Sequence, residues 1–288
     1  MTPAEIILLL LKASIIGLVF ALGLRTAWSD VTYLFRHPTQ LVMSIVSMNL
    51  VMPVIAAIIV LTFSLRPPVS MTLVALSLCP TPPLLPSKGA KAGGHASYGV
   101  SLMAVCALLS IVTIPLAVEV IELVFGVPLH MPPWPVAKLV FEMMLLPLVA
   151  GVIIYRLAPR LAETLSKWVS RAATVLLLLV VVAVLFSMWK PMVDLIGDGT
   201  LLAVAVFTVV GLLVGHLLGG PDPTDRTVLA IATAARHPGL ALAIIHINFP
   251  DQKSVIPMVL IYLAVSAICS VPYMLWRKRL GAAAPVTV

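Results

Sequence analysis

The sequence Cys79-Pro80-Thr81-Pro82-Pro83-Leu84-Leu85-Pro86-Ser87-Lys88 interrupts a long apolar segment in the first third of the chain. Proline lacks a backbone N–H and clashes with the preceding helical turn, so these four prolines prevent a continuous helix. At bilayer depth, non-helical backbone is tolerated only where protein buries it or where it lines a cavity. Broken helices of this kind form the substrate sites of many transporters, so we predict a translocation site here.

The composition predicts an all-α polytopic membrane protein. Hydrophobic residues make up 61% of the 288 positions and charged residues 10%, whereas soluble domains are about half apolar and about a quarter charged. The apolar segments are continuous over about 20 residues, which disfavours a β-barrel. We assign the net charge of +7 to loops that face anionic lipid, and we expect no nucleic-acid partner. The three cysteines lack metal-ligand spacing, and we expect no metal and no cofactor.

Nine apolar segments are long enough to cross a bilayer, with boundaries given to within a few residues. They lie at about 5–27, 38–63, 70–90, 97–124, 136–157, 167–189, 200–219, 225–247 and 254–276. The first lacks a basic n-region and a small-residue cleavage site, so we expect a first span rather than a cleaved signal peptide.

The distribution of lysine and arginine predicts the orientation. With the N-terminus outside, twelve of these residues fall in or beside cytoplasmic segments and five fall outside, while Arg236 lies within a span. Short cytoplasmic loops are enriched in lysine and arginine. We therefore expect the N-terminus to lie outside and the C-terminus in the cytoplasm. The expected location of this multi-pass protein is the plasma membrane, specifically the inner membrane of a bacterium.

The eighth segment carries a second anomaly, Arg236-His237-Pro238-Gly239, in the middle of apolar sequence. The residue before proline avoids α geometry, so we predict a second broken helix. An arginine at this depth must face an interior cavity or a partner. Two roles stay open for Arg236: an anion-binding or gating charge, and a structural cation held by backbone carbonyls. His237 is either a proton carrier or a hydrogen-bonded structural residue.

The two interrupted segments are the third and the eighth of nine, five segments apart. An odd shift reverses the direction of each partner through the membrane, so this pattern predicts an inverted repeat. The second and seventh segments correspond in the same way, as do the fourth and ninth. Helix N-termini at two such breaks would point positive dipole ends at the cavity, which favours an anionic substrate.

Short motifs along nearly the whole chain resemble the bile acid:sodium symporter family. They are Phe20-Ala21-Leu22-Gly23-Leu24, Phe35-Arg36-His37-Pro38, Met52-Pro53, Cys79-Pro80, Gly94, Pro115, Arg226-Thr227 and Gly239-Leu240-Ala241. Each motif alone is weak, but their order and spacing together are specific. The chain resembles an atypical nine-span member of this family, within a superfamily that also includes arsenite and auxin carriers.

The resemblance implies a panel domain and a core domain, with two broken helices that cross near the membrane centre of the core. The panel would consist of the spans at about 5–27, 136–157 and 167–189. The core would consist of the spans at about 38–63, 70–90, 97–124, 200–219, 225–247 and 254–276. Substrate would bind between panel and core, and movement of the core would give alternating access.

The chain departs from the sodium-coupled members at the positions that matter for the ion. Where those members carry Gly-Gly and Ser-Asn after the Cys-Pro, this chain has Thr81-Pro82 and Leu85-Pro86. On the second broken helix, where those members carry an acidic residue and a glutamine, this chain has Ala232 and Arg236. Sodium, a hard cation, prefers oxygen ligands. We therefore expect a secondary transporter of a small organic anion that does not retain the sodium sites. The alternative is a sodium-coupled organic acid or bile-acid-type symporter with ion sites rebuilt from backbone carbonyls and Asn49.

The predicted translocation site combines polar and helix-breaking residues of three spans. They are Asn49, Pro80, Thr81, Pro82, Pro83, Pro86, Ser87, Lys88, Arg236, His237, Pro238 and Gly239. Asn49 has an alternative role in a helix–helix hydrogen bond, and Lys88 as an anchor that reaches the cytoplasmic face. Asp222, Thr224 and Asp225 are interpreted as the N-cap region of the eighth span.

The expected partners are a small anionic organic substrate and the lipid bilayer, and sodium and the proton both stay open as the coupling ion. The sequence has no HExxH motif, no carboxylate pair and no pairing of nucleophile with base, so we do not expect an enzyme.

Overall fold

The computed structural model describes residues 3–126, 128–252 and 254–283, and every regular element in these ranges is helical. The helices are α1 (Pro3–Gly23), α2 (Trp28–Val31), α3 (Pro38–Ile45), α4 (Met52–Thr62), α5 (Pro67–Leu78), α6 (Leu85–Lys91), α7 (Ala96–Phe125), α8 (Pro133–Val140), α9 (Leu146–Leu157), α10 (Pro159–Ser187), α11 (Trp189–Asp194), α12 (Thr200–Leu218), α13 (Pro223–Ala234), α14 (Pro238–Asn248) and α15 (Val255–Ala283). A 3₁₀ turn covers Tyr33–Arg36, and π-helical turns at Val46–Val51 and Phe141–Leu145 join α3 to α4 and α8 to α9.

Seven helical segments of the described residues are long and apolar enough to cross a membrane. They are Pro38–Thr62, Ala96–Leu123, Pro133–Leu157, Pro159–Ser187, Thr200–Leu218, Pro223–Asn248 and Val255–Leu280. Leu9–Gly23 and Pro67–Leu78 are shorter apolar helices in the places of the first and third predicted spans. The protein is therefore a polytopic helical membrane protein, and the count of nine crossings stays a prediction.

Prolines mark where helices begin. The helices α3, α4, α5, α6, α8, α9, α10, α13 and α14 all carry proline in their first two positions. The missing N–H costs nothing there, because the first N–H groups of a helix have no intrahelical partner. Most helix starts therefore follow directly from the sequence.

Glycines let α12 pack directly on the backbone of α13. Gly211 and Gly215 lie one turn apart on α12, and Gly219 follows one turn later as its C-cap. A Cβ atom added at Gly215 would lie 2.4 Å from the carbonyl oxygen of Leu229, whereas real Cβ atoms essentially never come closer than 3.0 Å to another heavy atom. Small residues allow this backbone approach in membrane helices, and here the approach fixes α13 against α12.

A second close contact joins α1 to α9. A Cβ at Gly23 would lie 2.4 Å from the carbonyl oxygen of Leu148, and one at Gly151 would lie 2.6 Å from that of Phe20. Gly17 meets Ala173 of α10, with a built Cβ at 3.0 Å. Helices α1, α9 and α10 therefore pack together as one group.

Candidate functional site

The two helix interruptions meet inside the protein. Residues 79–84 separate α5 from α6, and residues 235–237 separate α13 from α14. The backbone N–H of His237 donates to the carbonyl of Pro80 at 2.9 Å. The Nη1 atom of Arg236 donates to the carbonyl of Cys79 at 3.1 Å. We call this meeting point, residues 79–84 with 235–237, the crossing.

Proline sets the backbone on both sides of the crossing. Cys79 precedes Pro80 and is extended, with φ −79° and ψ 149°. His237 precedes Pro238 and is also extended, with φ −76° and ψ 105°. A residue before proline is pushed out of α geometry by the proline ring. The predicted breaks are therefore present, although Pro238 and Gly239 belong to the first turn of α14 rather than to the gap.

Tyr262 of α15 holds the second break in place. Its hydroxyl accepts the backbone N–H of Arg236 at 2.8 Å and donates to the carbonyl of Ala234 at 3.0 Å. Tyr262 is buried, with only 1% of the residue exposed. A broken helix leaves backbone groups without intrahelical partners, and this one tyrosine supplies partners for two of them.

Arg236 is almost fully buried, at 1% exposure, and its charge is incompletely paired. The Nε and Nη2 atoms have no hydrogen-bond partner among the described residues. No ion pair within those residues includes Arg236. A buried guanidinium with free N–H groups is costly. Its position therefore demands a partner that the described residues do not provide.

Two neighbours at the crossing also present unpartnered polar atoms. The hydroxyl of Thr81 and the Nε2 atom of His237 are buried without a partner within the described ranges. His237 Nδ1 accepts the backbone N–H of Leu240 at 3.3 Å, so the neutral ring carries its hydrogen on Nε2. Of the six such atoms in the described chain, four belong to Thr81, Arg236 and His237, and three of those four are N–H donors.

The other predicted site residues fall into two groups. Pro82 and Pro83 lie in the first gap, while Pro86, Pro238 and Gly239 lie in the helix turns that follow the gaps. Ser87 and Lys88 follow Pro86 on α6, and Ser87 is exposed and donates to the carbonyl of Leu84 at 3.0 Å.

Asn49 lies in the π-helical turn and is partly exposed, and no hydrogen bond in the described residues joins it to the crossing. Its neighbour Ser47 makes the interhelical contact instead. The Ser47 hydroxyl lies 3.1 Å from that of Thr233 on α13, and both side chains are buried. Sequence reasoning missed Ser47, Thr233 and Tyr262, and the only available signal was their polarity within apolar spans.

Asp222, Thr224 and Asp225 all lie at the start of α13, as predicted, but the two aspartates have different roles there. Asp222 is the N-cap, and its carboxylate accepts both the backbone N–H and the hydroxyl of Thr224 at 2.7 Å. The hydroxyl's hydrogen bond lowers the pKa of the Asp222 carboxyl below its ordinary value. Asp225 instead is 3% exposed and contacts His95 and Gln40 from other helices.

Comparison with known proteins identifies the family. A model of the sodium bile acid symporter family matches residues 13–195, which is more than half of the 288 residues. The match includes the first interruption and ends before the second. No curated protein matches the chain. The polytopic helical fold agrees with a protein of membrane transport and symport, and the chain belongs to the sodium bile acid symporter family.

Proposed function

We propose that this protein is a secondary transporter that moves a small organic anion across the plasma membrane by alternating access. Its family indicates a symporter of the bile acid or organic anion type rather than an enzyme. The observation that supports an anionic substrate is a set of buried N–H donors at the crossing. These donors, on Arg236 and His237, have no partner among the described residues.

The chemistry of the crossing favours negative charge. Arg236 supplies a full positive charge in a buried setting where water screens little. Helix α14 starts at Pro238 and has no acidic residue in its first turn, so the positive end of its dipole is not neutralised there. A carboxylate could accept from Nε and Nη2 of Arg236 together, a bidentate geometry that guanidinium groups favour. We assign Arg236, His237 and Thr81 to the anion site.

We further propose the nine-span, inverted-repeat architecture with panel and core domains. Supporting it, the packed group of α1, α9 and α10 corresponds to the proposed panel, and the two contacting interruptions lie in the proposed core. The substrate would reach the crossing between these two groups. The N-terminus would lie outside and the C-terminus in the cytoplasm.

The proposal includes loss of the sodium sites. Sodium requires oxygen ligands, but the carbonyl oxygens of Cys79 and Pro80 already accept hydrogen bonds from Arg236 and His237. Family membership favours the second candidate, a sodium-coupled organic acid or bile-acid-type symporter with rebuilt sites that include Asn49.

The experiment is uptake by purified protein in proteoliposomes, with radiolabelled succinate, benzoate and taurocholate as probe anions. We expect uptake of at least one probe in potassium buffer without sodium. The Arg236→Met variant should lose it, because the charge is removed while the side-chain volume is largely kept. The matched control is Arg66→Met, which removes an exposed arginine that pairs with Asp198.

A strict sodium requirement would refute the sodium-free transport and favour the rebuilt-site candidate. Unchanged uptake by Arg236→Met would refute the anion site itself. Thermal unfolding of each variant in detergent separates a folding defect from a transport defect.

A further inference from the structure

A buried carboxylate lies at the opposite end of α13 from the crossing. Asp225 sits in the first turn of the helix, but Asp222 performs the capping there. The Asp225 side chain is only 5% exposed, which is rare for a carboxylate and requires compensation. Capping of α13 therefore does not explain why this carboxylate is buried.

Partners from two other helices converge on this carboxylate. His95, the N-cap residue of α7, places Nδ1 3.2 Å from Oδ1 of Asp225. Gln40, in the first turn of α3, donates its amide Nε2–H to Oδ2. These two contacts with Asp225 therefore connect the N-terminal ends of the second, fourth and eighth predicted spans.

The remaining charged and titratable groups around Asp225 do not replace the histidine. Tyr33 of the 3₁₀ turn and Tyr98 of α7 face it, and Asp222 adds negative charge from the same helix. Arg226 and Arg277 direct hydrogen bonds to other acceptors, namely the carbonyls of Gly220 and Pro223 and the hydroxyl of Thr227. Lys88 and Lys91 of the neighbouring α6 form no ion pair with it in the described chain.

His95 is consequently the one ion-pair partner of Asp225 within the described residues. Arginine and lysine would keep a carboxylate paired at every physiological pH, whereas histidine changes its charge between about pH 5 and pH 8. The His95 side chain is 38% exposed, so protons can reach it from water. Tyr33 packs edge-on against the imidazole at a centroid distance of 4.7 Å, and His37 stacks on Tyr33.

Gln40 can satisfy Asp225 in both protonation states. Its amide nitrogen serves the carboxylate, while its Oε1 atom is buried without a partner among the described residues. If Asp225 takes up a proton, rotation of the amide by a half-turn presents Oε1 as the acceptor of the new O–H group. The buried Oε1 atom of Gln40, which has no partner among the described residues, would therefore accept a hydrogen bond when Asp225 is protonated.

We propose that Asp225, His95 and Gln40 form a proton-binding site, and that the proton bound there is the ion that couples to the anion. This inference rests on the proposed transport function. Helix α13 joins the two sites directly, because Asp225 and Ala234 lie about 14 Å apart at about 1.5 Å per residue. Protonation of Asp225 removes the charge that holds α3 and α7 to the start of this helix, whose other end leads into Arg236.

Proton binding is tested first, in the purified protein without any substrate. Infrared difference spectra recorded as the pH is lowered should show the C=O band of a protonated carboxyl group. Because other carboxylates also protonate at low pH, the component of this band that comes from Asp225 is identified by difference. That component should be absent from Asp225→Asn and retained in Asp198→Asn, a control at an exposed carboxylate. A spectrum of Asp225→Asn identical to that of the parent protein would overturn the site.

Coupling is tested next, in proteoliposomes that contain the pH dye pyranine, with succinate and taurocholate as probe anions. We expect an imposed inward proton gradient to drive accumulation by the parent protein. Asp225→Asn and His95→Gln should lose this accumulation but keep exchange of labelled for unlabelled anion. The variant Gln40→Leu, which leaves both titratable groups in place, should weaken it.

Proton-driven accumulation that survives in Asp225→Asn would overturn the coupling role. If the parent protein takes up none of succinate, benzoate and taurocholate, the proposed function fails, while the infrared result still decides the proton site. Thermal unfolding of each variant shows whether it is folded.

Discussion

Two membrane segments of similar length differ sharply in what surrounds them. In its most apolar stretch, Pro159–Ser187 has a mean hydropathy of 2.6 and only 11% of its residues buried. Pro223–Asn248, which contains the second interruption, has a mean hydropathy of 1.6 with 72% buried. The less apolar segment is thus the more buried one. In a membrane, high hydropathy marks contact with lipid, and polar residues are kept where protein encloses them.

The largest expected effect is at the glycine contact that encloses the buried segment. Gly215→Leu forces a side chain into the backbone of α13, where even a Cβ would lie 2.4 Å from the Leu229 carbonyl oxygen. Ordinary overpacking costs about 1–3 kcal/mol. Here the clashing atoms belong to the backbone and cannot move aside by a rotamer change, so we expect a larger cost and loss of monodisperse protein after detergent extraction. The control is Leu217→Ala on the same helix, at a side chain 78% exposed. Normal yield of Gly215→Leu would contradict the packing.

A smaller effect is expected at the tyrosine that supports the break. Tyr262→Phe removes the partner of both the Arg236 N–H and the Ala234 carbonyl. Leaving buried polar groups unpaired costs about 1–3 kcal/mol, and thermal unfolding should report it. Tyr155→Phe, at a residue 38% exposed, should leave the unfolding temperature unchanged. Equal temperatures for the two variants would show that Tyr262 does not support the break.

A modest coupling is expected between α13 and the π-helical turn. The hydroxyls of Ser47 and Thr233 lie 3.1 Å apart, and interhelical hydrogen bonds in membranes average about 0.6 kcal/mol. A double-mutant cycle of Ser47→Ala and Thr233→Ala should return a coupling energy of that order. Strictly additive effects would show that the pair contributes nothing.

The smallest effect is expected on the lipid-facing segment. Leu179 of α10 is 64% exposed, so Leu179→Ala should change the free energy of unfolding by less than about 0.5 kcal/mol. The matched comparison is Leu229→Ala in α13, where the side chain is fully buried. There we expect a loss of about 2–5 kcal/mol in the free energy of unfolding. Similar losses of stability at Leu179 and Leu229 would contradict the difference in burial between the two segments.

The sequence predicts helix positions well because hydropathy and proline both act locally. The interruptions at 79–84 and 235–237 follow from the prolines. Helix α10 begins at Pro159, ahead of the predicted apolar span at about 167–189, because Arg160 and Lys167 lower the hydropathy without ending the helix.

The contacts of the candidate site are less predictable, because they join residues far apart in the chain. Tyr262 reaches Arg236 across 26 positions, and His95 reaches Asp225 across 130. A single sequence carries the polarity of these residues but not their pairing. Asp225 illustrates the limit: next to Asp222 it looks like a second capping residue, and only the packing of α3 and α7 shows that it is enclosed.

The glycine contact between α12 and α13 has a mechanical consequence. Backbone touching backbone at Gly211, Gly215 and Gly219 leaves no layer of side chains that could shear or rotate between the helices. The two helices must therefore travel as a single rigid body in any conformational change. A disulfide that links α12 to α13 should therefore be tolerated during transport, because it joins two helices that already move together.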